Sequence, residues 1–541
     1  VGFPLIIKPS AGGGGKGMQV AHNINELRAL LPATRRVASA AFGDDTLLLE
    51  RYLRSARHIE IQVFADDHGN CVHLYERDCS LQRRHQKVVE EAPAADFPPQ
   101  VREQMAQVAV RAARAIDYRG AGTVEFLYDA QGPQHGDGSS FYFMEMNTRL
   151  QVEHPVTEMI TGVDLVQWQL LVAAGQALPL RQEQIQISGH AIEARIYAED
   201  PQRDFLPATG RVQWMHIPQA QGVRVDAGIA AGDSVSAYYD PMVAKLIVHG
   251  DCRTQAIARL QATLHDSDLG PLANNVGFLR DLAADPQWMN TALDTEFLAR
   301  ASDRLRGQVL TSVDAALAAN AWLASAPPSA PSSPWTELRG MRLNMPACEH
   351  SRMQIEGAVV SSVITHHDAH YTMRLRFDDE HKSEDGAAAN PTAKSTAESK
   401  ADSTADDQPY DLRALQRGNN SISFEYQGQR RRYRVHVADQ DLYIDDGRAR
   451  VVVTVLANAT PTQGGQLHGA GQMLSPMPGR VVNVMVAEGD RVEAKQALAV
   501  LEAMKMEHTL TAPGAGSVIA VNCSAGEQVE EGVLMIAIEL D

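Results

Sequence analysis

Between Phe141 and Pro155, Glu145, Asn147, Arg149, Gln151 and Glu153 fall at every second position, with Met146, Thr148, Leu150 and Val152 in the alternate places. A period of two puts all five polar groups on one face of an extended segment. An ordinary solvated strand seldom selects one Asn and one Gln among carboxylates and an Arg. Glu125, in Thr123-Val124-Glu125-Phe126-Leu127, supplies a further carboxylate from another strand. Hard oxygen donors from Glu125, Glu145 and Asn147 suit Mg2+ that also holds nucleotide phosphates. The planar fork of Arg149 suits an oxyanion. Near the start, Leu5-Ile6-Ile7 reads as a strand, followed by Lys8 and then Gly12-Gly13-Gly14-Gly15-Lys16-Gly17. Backbone amides of such a run can approach phosphate closely. Gly17, rather than Ser or Thr, follows Lys16, so this is no Walker A loop. A Gly run alone is a flexible linker as often as a nucleotide site; Lys8 at the strand end favours the site. A third candidate is Lys505, with Met504 and Met506 on either side.

The elements that must carry these residues can be read in outline. Lys505 lies between two copies of one sequence, Gly479–Glu502 and Gly516–Glu539, offset by 37 throughout. Each copy is short alternating apolar segments punctuated by Gly, which predicts a pseudo-two-fold β-sandwich of about 70 residues with Lys505 at a hairpin tip. In the first half, a helix is predicted near Asn25–Ala41, strands at Thr46–Glu50, His58–Phe64 and Val72–Leu74, and an amphipathic helix over Val101–Ile116. Glu76–Lys87 carries five basic side chains; such a run is usually a solvated face, but its strand pattern would equally let it face an anion. Cys79 beside them reads as structural rather than nucleophilic. Ala324–Pro334 is a Pro/Ser/Ala linker. Met353–Leu456 repeats short alternating strands with Gln427-Gly428 and Asp446-Gly447 as turns, the pattern of a small β-barrel. Arg430–Arg432 reads as a solvated edge strand. Residues 378–409 have the composition of a disordered insert, and Ala457–Gln472 that of a flexible tether.

The totals bound the class. At 541 residues and 44% hydrophobic content the chain is long enough for three or more domains. A net charge of -18 argues against binding to nucleic acid or an anionic membrane. Five cysteines with no CxxC pair suggest a reducing compartment. No apolar run approaches the length of a membrane span. The chain opens on Val1 and enters a strand directly, which reads as the continuation of a longer chain whose beginning, with any targeting segment, lies outside it.

Two resemblances cover most of the chain. Ala503-Met504-Lys505-Met506 within its duplicated frame closely resembles the acceptor of biotin carboxyl carrier domains; lipoyl domains share the frame but usually place Asp before the Lys. Residues 1–300 resemble the ATP-grasp portion of a biotin carboxylase, through Lys8 with the Gly loop, Glu50-Arg51-Tyr52-Leu53, Arg77–Lys87, Glu145–Pro155 and His190–Asp200. The family's amino-terminal domain and part of its lid are absent, and Ala273-Asn274-Asn275 stands where the family usually has Thr-Asn. The barrel occupies the place of the domain that docks acyl-CoA carboxylase α-subunits to their β-subunits.

The resemblance implies an α+β multidomain chain: ATP-grasp domain, small β-barrel, then an all-β biotinyl/lipoyl-type sandwich. The expected boundaries are 1–53 for a partial lid, 54–305 for the ATP-grasp and C-terminal carboxylase portion, and 306–335 for a helix and linker. The docking barrel then spans 336–456, the tether 457–472 and the carrier 473–541. It implies biotin on Lys505, and ATP held by Lys8, His58, Gln82 and His85, with the adenine at Glu50, Arg51 and Leu53. Gly13, Gly14, Gly15, Lys16 and Gly17 would close over phosphates. Glu125, Glu145 and Asn147 would hold Mg2+ or Mn2+. Lys87, Arg149, Gln151 and Val152 would bind bicarbonate, Glu153 would deprotonate it, Arg149 would also steady the activated biotin, and Arg195 would bind phosphate or support the site. The implied partners are bicarbonate, a carboxyltransferase β-subunit and biotin protein ligase, in a homo- or hetero-oligomer. The acyl-CoA is expected to be 3-methylcrotonyl-CoA, as in leucine degradation, with propionyl-CoA and geranyl-CoA as rivals. The expected location is the bacterial cytoplasm, or the mitochondrial matrix in a eukaryote. Two other classes fit less well: an ATP-grasp ligase fused to a lipoyl carrier, and an inactive carrier or scaffold.

Overall fold

The structure is a computed structural model of the 541-residue chain; it describes residues 1–11, 17–84, 86–129, 140–290, 293–305, 310–326, 347–367, 370–378, 409–447, 449–456, 471–503 and 506–540. The chain divides into two compact units, residues 1–306 with 468–541, and residues 307–467.

The first unit opens with a small three-stranded sheet in which β1 (Leu5–Pro9) lies between β2 (Gln19–Ala21) and β3 (Leu47–Arg51). Alternation along β1 buries Leu5 and Ile7 against Leu27 of α1 (Ile24–Phe42). Asn23 starts that helix by accepting from the amides of Asn25 and Glu26, and Gly43 ends it in the left-handed conformation.

An eight-stranded antiparallel sheet follows. It is built from β4 (Arg57–Ala65), β5 (Cys71–Arg83), β6 (Gln86–Ala92), β7 (Gly120–Asp129), β8 (Ser140–Asn147), β9 (His190–Tyr197) and the strands Val223–Ala227 and Met242–Gly250. In space the order is Val223–Ala227, Met242–Gly250, β9, β6, β5, β4, β7, β8. On one face α2 (Pro99–Ala115) lays Val101, Met105, Ala109 and Ala113, spaced at a helical repeat, on Ile59, Ile61, Val124 and Phe126. A second apolar cluster joins Phe64 and Leu74 to Leu165, Trp168 and Val172 of α4 (Leu165–Ala173), which follows α3 (His154–Thr161). The largest cluster packs β9 and Met242–Gly250 against α5 (Arg253–Asp266) and the short helices beyond it.

The carrier, in the same unit, is two four-stranded sheets whose internal repeat is complete in the backbone. Strand Gly479–Val484 corresponds to Gly516–Val521, and Ala497–Ala503 to Leu534–Leu540, at the offset of the sequence repeat. The two copies even share a register shift, after Val481 in one and after Val518 in the other. A Cβ at Gly479 would lie 2.8 Å from Glu502 O and one at Gly516 2.2 Å from Glu539 O, so both positions must be Gly for the strands to meet.

The second unit is a closed barrel of eight antiparallel strands, Cys348–Ile355 through Arg450–Leu456. The helix Ser312–Ala324 is set apart from the barrel, with the linker, in the sequence reading. It is instead the barrel's core: Ala315 through Ala321 are fully buried, sharing one cluster with Met353, Ile364, Phe424 and Val453. An Ala-rich helix is slim enough to be enclosed by strands. Its single buried amide is satisfied, because Asn320 Oδ1 accepts from Ser351 Oγ and Ser362 Oγ, each at 2.7 Å. The expected linker and the core of the expected insert and tether lie outside the described residues.

Candidate active site

Pairing register puts one polar row across four strands. Arg77 of β5 pairs with Glu60 of β4, Glu60 with Glu125 of β7, and Glu125 with Glu145 of β8. Three carboxylates and one guanidinium thus lie side by side. Like charges directly opposed destabilise a sheet unless cations join them. Arg77 is wholly buried and supplies the first: its Nε donates to Glu60 Oε1 at 2.6 Å, and its remaining nitrogens reach Gln62, Thr157, Thr123 and Gln151. Lys87 of β6 supplies the second. Its ammonium lies 2.6 Å from Glu60 Oε2, 2.5 Å from Glu153 Oε1 and 3.4 Å from Glu125 Oε1.

Glu153 is held from both sides. Its other oxygen lies 3.0 Å from Arg195 Nη2, while Arg195 Nε donates to Glu90 Oε1 at 2.6 Å. Asn275 braces the strand of Arg195, donating to Arg195 O and accepting from Tyr197 N. Burial alone would raise the Glu153 carboxyl, but Lys87, Arg195 and Arg77 outweigh it and hold it well below the usual range. Lys87 is held well above its ordinary value, because the acidic neighbours outweigh burial. Glu125 behaves like Glu153: burial opposes ionisation, but His58, 3.2 Å away, and Lys87 keep it low. Across the β6–β9 pairing Glu90 faces Glu193, and burial pushes both up, Glu193 far above a usual carboxyl.

Glu145 is raised, first by burial and then by Glu125. Two carboxylates opposed in register, one of them reluctant to ionise, with Asn147 next on the same strand face, are a donor set that a hard divalent cation would relieve. Asn147 Nδ2 donates to Glu125 Oε1 at 2.8 Å, as does Gln151 Nε2 at 2.9 Å. These residues fit Mg2+.

The expected alternating face does not extend to Glu153. β8 ends at Asn147, the chain turns through Thr148–Val152, and Glu153 is the residue before α3, whose second position is Pro155. Proline is accommodated in a first helical turn but not in the continuing strand. The turn still delivers Gln151 and Glu153 to the row, both buried, whereas Arg149 stays exposed with one nitrogen 3.5 Å from Asn147 Oδ1. Val152 O accepts from Lys245 at 2.6 Å. Gln82 pairs with Lys87 across β5 and β6. Lys8 lies 3.1 Å from Glu50 on the small sheet, and Lys8 is also among the cations acting on Glu145, so the small sheet faces the cluster. Arg51 is exposed beside Leu53, and Tyr52 between them donates to Glu296 at 3.0 Å, with burial and then Glu296 pushing its hydroxyl up to about 12. Gly17 is left-handed. Gly13, Gly14, Gly15, Lys16, His85 and Lys505 lie outside the described residues; on either side of Lys505, Ala503 pairs with Met506. Cys79 is buried and burial pushes its thiol well up, the setting of a structural cysteine.

Glu60, Arg77, Glu90, Glu193 and Lys245 escape the sequence reading as site residues. His58, Glu60 and Gln62 alternate along β4 as a solvated face would, but all three are buried, and the alternation alone does not distinguish the two cases.

Known proteins match along most of the chain. Residues 1–181 match the family described as carbamoyl-phosphate synthase L chain, ATP binding domain, residues 193–300 the biotin carboxylase C-terminal domain, and residues 471–538 the biotin-requiring enzyme family. Methylcrotonoyl-CoA carboxylase subunit alpha, mitochondrial, of Oryza sativa subsp. japonica is 39% identical over 100% of this chain and 74% of its own length. Propionyl-CoA carboxylase alpha chain, mitochondrial, of Mus musculus is 39% identical over 100% of this chain and 71% of its own. The chain belongs to the α-subunits of biotin-dependent acyl-CoA carboxylases. It is a ligase that carboxylates biotin at the expense of ATP, with biotin, ATP and Mg2+ as its cofactors. Among solved structures, the biotin carboxylase domain dimer of Hydrogenobacter thermophilus 2-oxoglutarate carboxylase, in complex with MgADP, ADP and bicarbonate, aligns with a TM-score of 0.55 at 40% identity over 57% of this chain and 67% of that one. The Campylobacter jejuni biotin carboxylase in its βγ-ATP complex gives 0.52 at 43% identity, over 55% and 65%.

Proposed function

We propose that this α-subunit charges biotin on Lys505 with a carboxyl group from bicarbonate, for transfer to 3-methylcrotonyl-CoA on a separate carboxyltransferase β-subunit. The observation that carries the carboxylase assignment is Glu153 held between Lys87 and Arg195 in a buried cluster. A carboxylate so stabilised is a poor base. An anion that draws Lys87 and Arg195 onto itself returns basicity to Glu153 beside it. Bicarbonate does this, so the base is released only when its substrate is in place. Arg149, at the open rim, and Gln151 and Val152, within the turn, complete the bicarbonate site. Glu125, Glu145 and Asn147 would hold Mg2+, which supplies charge neutralisation for phosphoryl transfer. Lys8, His58, Gln82 and His85 would take the phosphates and ribose of ATP, Glu50, Arg51 and Leu53 the adenine, and Gly13 to Gly17, with Lys16, the lid.

The matching relatives favour methylcrotonoyl-CoA carboxylases; equal identity to a propionyl-CoA carboxylase keeps propionyl-CoA as the second reading. The eukaryotic relatives are named mitochondrial, and the matrix is the corresponding location; in a bacterium it is the cytoplasm. The test is bicarbonate-dependent ATP cleavage with free biotin, followed by carboxylation of each acyl-CoA with the co-purified β-subunit. Absence of bicarbonate-dependent turnover overturns the assignment.

A further inference from the structure

The carrier meets the carboxylase portion at the loop after β9. Arg203, in the single turn Pro201–Arg203, reaches it twice: Nη1 lies 3.0 Å from Glu531 Oε1, and Nη2 donates to Pro476 O at 3.0 Å. Leu206 packs against the carrier's own apolar core. From the carrier side, His508 lies close to Asp204, Arg84 and Arg203, and burial pushes its imidazole down. His508 is three positions from Lys505, on the strand that follows it.

The loop is braced against the turn between β5 and β6. Arg83 Nη2 lies 2.5 Å from Glu199 Oε2, its guanidinium sits 4.0 Å over the Phe205 ring, and Arg84 lies 2.5 Å from Asp204. That turn separates Gln82 from Lys87, so the loop touching the carrier and the strand ends carrying the catalytic cluster are one braced piece.

We propose that residues 199–207 are the dock on which this chain's own carrier seats to present the Lys505 arm to the Lys87–Glu153 cluster. The proposal rests on the carboxylase reading above. A carrier that must also visit a transferring subunit needs a contact that releases. Arg203 and Glu531 are about half exposed, at 51% and 53%, and such a pair contributes little affinity but sets orientation and encounter rate. Carrier and dock belong to one chain, and a covalently linked module meets its site at an effective concentration on the order of millimolar, enough to populate a weak dock.

The test uses the full-length biotinylated chain with Arg203→Glu, Glu531→Arg and both together. Two rates are measured: carboxylation of the attached carrier and carboxylation of free biotin. Each single change should slow the first about tenfold and leave the second unchanged, and the pair together should restore most of the first. An attached-carrier rate unchanged in both single variants, or a free-biotin rate that falls in parallel, overturns the dock. Failure of the carboxylase reading looks different, because the unmodified chain would then be inert toward free biotin. In that case amide exchange judges the dock: Arg203→Glu should speed exchange over both 199–207 and 527–533, and equal exchange overturns it.

Discussion

Lys87 and Glu153 set the behaviour of the site at the scale of single residues. Each is held strongly in its charged form by the other and by its neighbours, so neither titrates between pH 5 and 9. Replacing Glu153 by Gln removes the base and leaves the Glu125, Glu145 and Asn147 set untouched. Biotin carboxylation should drop by roughly 10² or more while ATP binding persists; an unchanged rate would contradict the role. Lys87→Met should do more than slow the reaction. It leaves Glu60, Glu125 and Glu153 facing one another without their shared ammonium, and losing one partner of a buried ion pair costs about 3 kcal/mol or more. Urea unfolding of Lys87→Met checks this, and wild-type stability would show that Arg77 and Arg195 suffice. Lys505, which the sequence repeat predicts at a hairpin tip, calls for a different test. Lys505→Arg should abolish biotinylation with stability changed by less than about 0.5 kcal/mol, read by a streptavidin blot and a melting curve.

Elements explain which of these residues could be foreseen. The carrier was legible because its two copies repeat in register, so the strands, their shared offset and the two close-approach glycines all follow from one comparison of the chain with itself. The row Arg77, Glu60, Glu125 and Glu145 was not. Its members come from four strands, and register shifts after Ile61 and after Glu125 decide which residues face each other. No local period carries that information. Glu153 was singled out by an alternation that the backbone does not keep, because Pro155 turns the strand into a helix; the residue reaches the Lys87 cluster through a turn and not along a strand face. Elsewhere, Glu91 of β6 ties that strand to His190 of β9 and Arg253 of α5. Burial alone would raise Glu91, but His190 and Arg253 bring it down to about 2. A depressed carboxyl stabilises the fold above its unfolded value and loses that contribution as pH falls through the folded one. Glu91→Gln should therefore cost about 3 kcal/mol at pH 7, with the gap to wild type constant down to about pH 5 and closing between about 4.5 and 2. Denaturant titrations across that range measure it, and a gap independent of pH would show that the ion pairs are not its source.

The apolar clusters of the whole molecule divide along the chain. One family of clusters is built from residues of the carboxylase portion, another from residues 310–455, and a third from 473–538 with Leu206 packed against it. Cooperative unfolding follows shared cores, so a chain with separate cores is not expected to melt in one step. The barrel offers a clean way to mark its own transition, because Asn320 is fully buried in its core. Asn320→Ala removes the acceptor that Ser351 and Ser362 share and leaves those hydroxyls, 2.6 Å apart, with only each other, which costs about 1 kcal/mol. Scanning calorimetry of the full chain should show more than one transition, and Asn320→Ala should lower only one of them, by several degrees. The carboxylation of free biotin should be unchanged at temperatures below that transition, since the ion pairs of Lys87 and Glu153 are with residues of the first unit. A single transition that moves as a whole in Asn320→Ala would mean that the cores are energetically coupled, and the barrel would then have to be treated as part of the carboxylase rather than as its neighbour.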